Sequence, residues 1–165
     1  MLLASRSGRV VRDGQGLETQ LHSMGAVTAV LACDSAGTRD MIALCSADML
    51  TGVLHAAGAG DKGLLVEVAA QRVLWMYALK ATGARYLQCA ASTAPLEARV
   101  LFSSVGSGLG NVGQTNYAAG NACLDAHALS RRAQAMAACS LQWPWWVVQA
   151  WAPLPLRRWA TVRSP

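Results

Sequence analysis

The chain has 165 residues, 53% hydrophobic and 14% charged, which is enough for one domain with a single sizeable core. That balance excludes intrinsic disorder, which needs low hydrophobicity and high charge. The net charge of +5 is spread over dispersed cations and isolated pairs, Arg131-Arg132 and Arg157-Arg158, rather than a basic stripe with interleaved aromatics, so no nucleic-acid role is expected. In chain order, Met1 to Ser5 is a short apolar strand and Gly14 to Met24 a weak helix with Leu17, Leu21 and Met24 on one face. Ala26 to Ala32 is an apolar, partly β-branched strand that ends at Cys33-Asp34. Thr38 to Leu50 reads as a helix with Met41, Ile42, Leu44 and Cys45 inward. Thr51 to Ala56 is the next strand, broken by Gly58 and Gly60. Gly63 to Thr82 is a long helical pattern with Leu65, Val68, Val73, Met76 and Leu79 as core candidates. Arg99 to Ser103 is a strand, Ser104 to Gln114 a glycine-rich loop, Tyr117 to Ala135 an alanine-rich helix and Cys139 to Trp143 a last strand. Short buried strands alternating with helices predict an α/β fold: a parallel sheet covered on both faces, wound in the Rossmann-like, doubly wound manner.

The tail after Trp143 breaks this order. Five of the six tryptophans lie between 143 and 159, among Pro144, Pro153 and Pro155. The segment reads either as an exposed aromatic docking segment or as a poorly ordered, divergent terminus, and the second is favoured. It is too short and too interrupted for a membrane span of about 20 residues. Arg6 arrives before a signal-peptide core could form, so a cytoplasmic protein is expected. The five cysteines, Cys33, Cys45, Cys89, Cys123 and Cys139, form no CxxC pair and have no histidine at zinc-finger spacing. They suit reduced, buried thiols, and no metal is expected.

Several segments taken together carry a resemblance. They are Leu3-Ala4-Ser5-Arg6-Ser7-Gly8, Ala32-Cys33-Asp34, Thr51-Gly52-Val53-Leu54-His55-Ala56-Ala57-Gly58 and Leu79-Lys80-Ala81-Thr82-Gly83-Ala84. Then come Leu101-Phe102-Ser103-Ser104-Val105 and Gly113-Gln114-Thr115-Asn116-Tyr117-Ala118-Ala119-Gly120-Asn121-Ala122, with Leu124-Asp125 behind it. In this order and spacing, from Leu2 to about Trp143, the chain resembles the ketoreductase domains of modular polyketide synthases and animal-type fatty acid synthases, within the short-chain dehydrogenase/reductase superfamily. The resemblance implies reduction of a β-ketoacyl thioester with NADPH as hydride donor. It also implies two kinds of partner, an acyl carrier protein bearing the phosphopantetheine-linked substrate and neighbouring synthase domains. A basic surface suits such anionic ligands.

The chemistry explains the residue types. Ketone reduction needs a proton for the developing alkoxide, and a tyrosine of ordinary pKa is a poor acid-base group at neutral pH. A nearby ammonium lowers that pKa, and a hydroxyl donor steadies the oxyanion. Ser104 lies thirteen positions before Tyr117, at the end of one strand, with the tyrosine starting the next helix. Tyr117 and Asn121 are four apart and share a helix face. Most of the superfamily has lysine where Asn121 stands; in the synthase branch the lysine comes from an earlier helix, and Lys80 sits in the matching segment. The resemblance therefore implies Tyr117 as proton donor and Ser104 on the carbonyl oxygen. It implies Lys80 as the group that lowers the tyrosine pKa and contacts the nicotinamide ribose, and Asn121 as orderer of the helix and a proton-relay water.

On the cofactor side, Ser5 and Arg6 match the position that binds the adenosine 2′-phosphate, which favours NADP over NAD. Asp34 matches the residue that bonds the adenine, and Ala56, Ala57 and Gly58 form the small-residue turn that lets backbone approach the ribose and nicotinamide. His55 reads as a packing or positioning residue rather than a catalyst.

The family's first strand and glycine-rich phosphate loop have no counterpart in the chain, and Gly106-Ser107-Gly108-Leu109-Gly110 follows the catalytic serine and is rejected as that loop. The expectation is an N-terminally truncated ketoreductase over residues 1–143, followed by the divergent tail, which binds NADPH weakly on its own. The Leu-Asp-Asp marker of one stereochemical type reads Gly60-Asp61-Lys62, and the tryptophan of the other type is Leu109, so alcohol stereochemistry stays open. Lys62 is read as a solvated loop lysine in preference to a contact for an anionic carrier arm. Two other readings stand beside the reductase: a non-catalytic, reductase-like structural module, and a free-standing short-chain dehydrogenase acting on small alcohols.

Overall fold

The computed structural model describes residues 1–9, 17–25, 27–46, 50–92, 94 and 96–144. The strands are β1 (Leu2–Ser5), β2 (Ala29–Ala32), β3 (Gly52–His55), β4 (Ala98–Ser104) and β5 (Cys139–Trp143). The helices are α1 (Leu17–Ser23), α2 (Thr38–Cys45), α3 (Ala70–Tyr77), α4 (Gly83–Ala90), the short α5 (Gly106–Leu109) and α6 (Thr115–Ala133). A 3-10 turn covers Leu65–Glu67, and a π turn, Ala78–Thr82, joins α3 to α4.

All strand pairs are parallel, and parallel pairing needs the helical crossovers that link these strands. They form two sheets, β1-β2 and β3-β4-β5. Leu2 faces Ala29 in the first; Gly52 faces Ala98 and Val100 faces Cys139 in the second. A doubly wound sheet runs 3-2-1-4-5-6. The described strands fill the 3-2 and 4-5-6 places of that order, with none paired between β1 and β3 among the described residues.

Two clusters hold these layers. Ala84, Leu101, Leu124 and Ala128 pack α4 and α6 onto β4. Leu124 is fully buried, which contributes roughly 1.5–3 kcal/mol relative to an exposed leucine. Cys33, Met41 and Leu87 form the second cluster, which ties the end of β2 to α2 and α4 and so links the two sheets. Strand alternation puts Leu54, Val100, Phe102 and Leu141 on the opposite face of the larger sheet, where Leu54 is 67% exposed.

Several predicted elements shift. The single helix over Gly63–Thr82 is instead the 3-10 turn, a break at Val68-Ala69, and a helix that runs on through the π turn to Ala90. The helix continues past Thr82 through Gly83. Gly83 lies inside the helix because a Cβ there would stand 3.0 Å from Ser35 Oγ and 3.1 Å from His55 Cε1. Leu65, read as core, is exposed on the 3-10 turn, and Ile42 is exposed on α2. The Ser104–Gln114 loop contains α5, anchored where Ser104 Oγ accepts the Gly106 N–H at 3.2 Å. α6 begins at Thr115, ahead of Tyr117. Helix α2 stops at Cys45, with residues 47–49 outside the described residues. The first helix covers only Leu17–Ser23; residues 10–16 lie outside the described residues and Met24 is exposed.

All five cysteines are free, but only Cys33 is buried; Cys89 is exposed and the others are half-buried. The tail reading falls on residues 145–165, outside the described residues. Among the described residues, no helix is long and apolar enough to cross a membrane.

Candidate active site

The carboxyl ends of parallel strands are where an open α/β sheet places its ligand crevice. Ser5 ends β1 and Arg6 follows it, Asp34 follows β2, Ala56 to Gly58 follow β3, and Ser104 ends β4. Lys80, Tyr117 and Asn121 converge beside β4. Lys80 sits in the π turn and is buried, 4% exposed. Its Nζ donates to the Phe102 carbonyl at 3.1 Å and lies 5.6 Å from the centroid of the Tyr117 ring. Burial lowers its pKa to about 8, because the charged form loses hydration. A π turn is a common device at functional sites, since the extra residue re-aims side chains within a helix.

Two glycines make room for this lysine. A Cβ on Gly58 would lie 3.1 Å from Lys80 Nζ. A Cβ on Gly120 would lie 3.3 Å from Met76 Cγ and 3.4 Å from Lys80 Cβ, so its absence lets α6 lie against the π turn. Tyr117, in the first turn of α6, is half-buried. Asn121 is fully buried; its Nδ2 donates to the Tyr117 carbonyl at 2.9 Å, and its backbone carbonyl accepts Ser103 Oγ at 3.2 Å. The bond from Ser103 ties the helix to β4. Asn121 Oδ1 has no partner. A buried acceptor left unpaired is unfavourable, so this atom suits a water or a ligand donor.

The predicted cofactor residues fall into two groups. Ala56, Ala57 and Gly58 border the Lys80–Tyr117 cluster through Gly58. Ser5, Arg6 and Asp34 stand on the other sheet. Ser5 Oγ caps its own turn, donating to the Arg9 carbonyl at 2.8 Å and accepting the Arg9 N–H at 3.1 Å. Arg6 is exposed. Asp34 Oδ1 accepts the Ala36 N–H at 2.9 Å in an Asx turn. A nicotinamide dinucleotide fits this set: small residues and an orphaned acceptor at one end, an exposed guanidinium at the other.

His55 is buried behind the turn with Nε2 unpartnered, and burial, helped by the Lys80 cation, lowers its pKa to about 4. Its ring is therefore uncharged at neutral pH. Asp125 on α6 accepts from Ser107 at 2.6 Å, from Ser140, and from Gln142 at 2.9 Å, which pins α5 and β5 to the helix. Burial would raise its pKa, but these donors outweigh it and hold the carboxyl below its ordinary value. Sequence reasoning missed Arg72 and Asn116, and it treated Asp61 only as part of a stereochemical marker. The three meet in space, where Asp61 accepts from Asn116 and pairs with Arg72. No local period marks residues so far apart in sequence.

Parallel strands, a tyrosine opening the long helix and a buried lysine beside it define a Rossmann-like α/β protein of the short-chain dehydrogenase/reductase class. A short-chain dehydrogenase from Streptomyces avermitilis shares the fold, with a TM-score of 0.71 and 15% identity over 86% of this chain and 55% of its own. The family model described as the KR domain matches residues 1–147. Polyketide synthase GfsB of Streptomyces halstedii is 42% identical over 150 residues, covering 88% of this chain and 3% of GfsB. A solved structure of A-type ketoreductases from a modular polyketide synthase superposes with a TM-score of 0.79 at 33% identity, over 86% of this chain and 31% of that one. The chain belongs to the ketoreductase domain family of polyketide synthases and spans a small part of its curated relatives' length.

Proposed function

We propose that residues 1–143 carry the proton-donating half of an NADPH-dependent reductase that converts a β-ketoacyl thioester to the β-hydroxyacyl thioester. When bound, NADPH supplies the hydride to the ketone carbon. Tyr117 gives its phenolic proton to the carbonyl oxygen as the C–O double bond becomes single. Ser104 donates a hydrogen bond to that oxygen. Lys80, held as an ammonium, favours the tyrosinate left behind and contacts the nicotinamide ribose. Asn121 orders α6 and holds a relay water at its orphaned Oδ1. The observation that carries this reading is the buried Lys80 side chain against the Tyr117 ring, a charge-bearing group kept out of water beside a titratable phenol.

On the same reading Arg6 meets the 2′-phosphate of NADPH, Asp34 the adenine, and Ala56 to Gly58 the ribose and nicotinamide. Ser5 shapes the turn that presents Arg6, since its hydroxyl is already engaged by Arg9. The substrate arrives on the phosphopantetheine arm of an acyl carrier protein among neighbouring synthase domains. Incubation of the purified chain with millimolar NADPH and a β-ketobutyryl pantetheine thioester tests the proposal. Formation of the hydroxyacyl thioester supports it. Turnover of a small diffusible alcohol but not of the thioester favours a free-standing dehydrogenase, and no turnover of either favours a structural module.

A further inference from the structure

Asp61 is a buried carboxylate that the chemistry above does not use. It is 6% exposed, on the segment that follows β3. One oxygen accepts from Asn116 Nδ2, and the other pairs with Arg72, whose guanidinium also donates to the Lys62 carbonyl at 2.6 Å. Asn116 is itself buried, and its Oδ1 accepts the Tyr117 N–H at 2.9 Å. That N–H is one of the first-turn donors that a helix leaves unsatisfied, and Gln114 at the cap supplies no side-chain bond. The chain of contacts therefore runs from Arg72 through Asp61 and Asn116 to the backbone of Tyr117. A second tie runs beside it, where the Gly63 N–H donates to the Gly113 carbonyl at 2.9 Å.

These ties fasten the segment from Gly58 to Gly63 onto the first turn of α6. The segment begins at the glycine that borders Lys80 Nζ and ends where the Tyr117 helix starts. The carboxylate also complements the positive end of the α6 dipole. The Arg72 side chain is half-exposed, so its pairing with Asp61 adds little net stability, and the use of the contact is to define position.

We infer that Asp61 is a positioning residue: through Asn116 it sets where the backbone of Tyr117, and with it the phenol, stands against the turn at Gly58. The inference rests on the proposed role of Tyr117. Reacting groups displaced by about 1 Å can lose ~100-fold in rate.

The test compares the whole chain with Asp61→Ala, Asn116→Asp and the exchange variant Asp61→Asn/Asn116→Asp. Asn116→Asp sets carboxylate against carboxylate. The exchange restores a donor facing an acceptor and keeps an acceptor for the Tyr117 N–H. With β-ketobutyryl pantetheine thioester at millimolar NADPH, each single variant is expected to lose about 10–100-fold in kcat, with KM for NADPH within ~2-fold, and the exchange variant to return within ~5-fold of the parent. A single variant that keeps kcat within ~2-fold, or an exchange variant no better than Asn116→Asp, overturns the inference.

If a single variant fails to fold, the exchange variant decides on the same criterion against the parent. If the parent itself reduces no thioester, the functional reading fails separately, and amide hydrogen exchange decides the position of Tyr117. Its N–H should exchange about 10-fold faster in Asp61→Ala and recover in the exchange variant; unchanged protection overturns the inference.

Discussion

Lys80 concentrates the electrostatics of the site. Its ammonium is dehydrated, bonded to the Phe102 carbonyl and laid against the Tyr117 ring, and its pKa falls to about 8. The proposed chemistry needs the charged form. The rate of thioester reduction should therefore hold below pH 8 and fall by up to tenfold per unit above it, as the ammonium is lost. A pH–rate profile at saturating thioester and millimolar NADPH measures this, and a flat profile between about pH 7 and 10 contradicts it. His55 makes a second prediction, for stability. Burial first, and the Lys80 cation second, bring its pKa from the ordinary 6.5 to about 4. Between those values the unfolded chain binds the proton and the folded one does not, so its contribution is complete above pH 6.5 and is lost as pH falls towards 4. The loss from His55 is on the order of 3 kcal/mol at pH 4. His127 is lowered in the same direction by burial and the nearby Arg131 and Arg99, so the readout is a difference. Urea unfolding of His55→Asn should show less acid destabilisation between pH 6.5 and 4 than the parent; equal slopes contradict the assignment.

The elements place these residues by close approach. The helix from Ala70 to Ala90 passes Lys80 through a π turn, and it touches β3 and the Ser35 turn at Gly83. A Gly83→Ala methyl would meet Ser35 Oγ and His55 Cε1 inside normal contact distance, so the substitution should cost about 1–3 kcal/mol despite the better helix propensity of alanine. Thermal unfolding checks this; a stabilised variant would show that the contact yields freely. Much of this framework was legible in the sequence, because parallel strands leave apolar runs bounded by turn residues and because Lys80, Ser104, Tyr117 and Asn121 keep a recognisable spacing. The helix around Gly83 was not, since a glycine chosen for packing looks the same as one that ends a helix. Nor was the Arg72–Asp61–Asn116 relay, whose members share no local period and meet only when the fold is complete. Leu65 and Ile42 matched the helical pattern but ended on the surface, one because a 3-10 turn replaced the helix and the other because Met41, Leu44 and Cys45 take the packed face of α2.

At the scale of the molecule, the described strands form two parallel sheets that take the flanking places of a doubly wound order. In that fold the pyrophosphate rests on the turn after the strand that stands between them. Among the described residues no strand pairs with both β1 and β3. The proton-donating side of the site does not depend on that turn. The central claim is thus tested most directly by hydride transfer from millimolar NADPH to a β-ketobutyryl pantetheine thioester, in the parent chain against Tyr117→Phe. The account predicts that the parent forms the hydroxyacyl thioester and that the variant, folded to the same extent, loses at least ~100-fold in rate. Equal rates in the two proteins would contradict it.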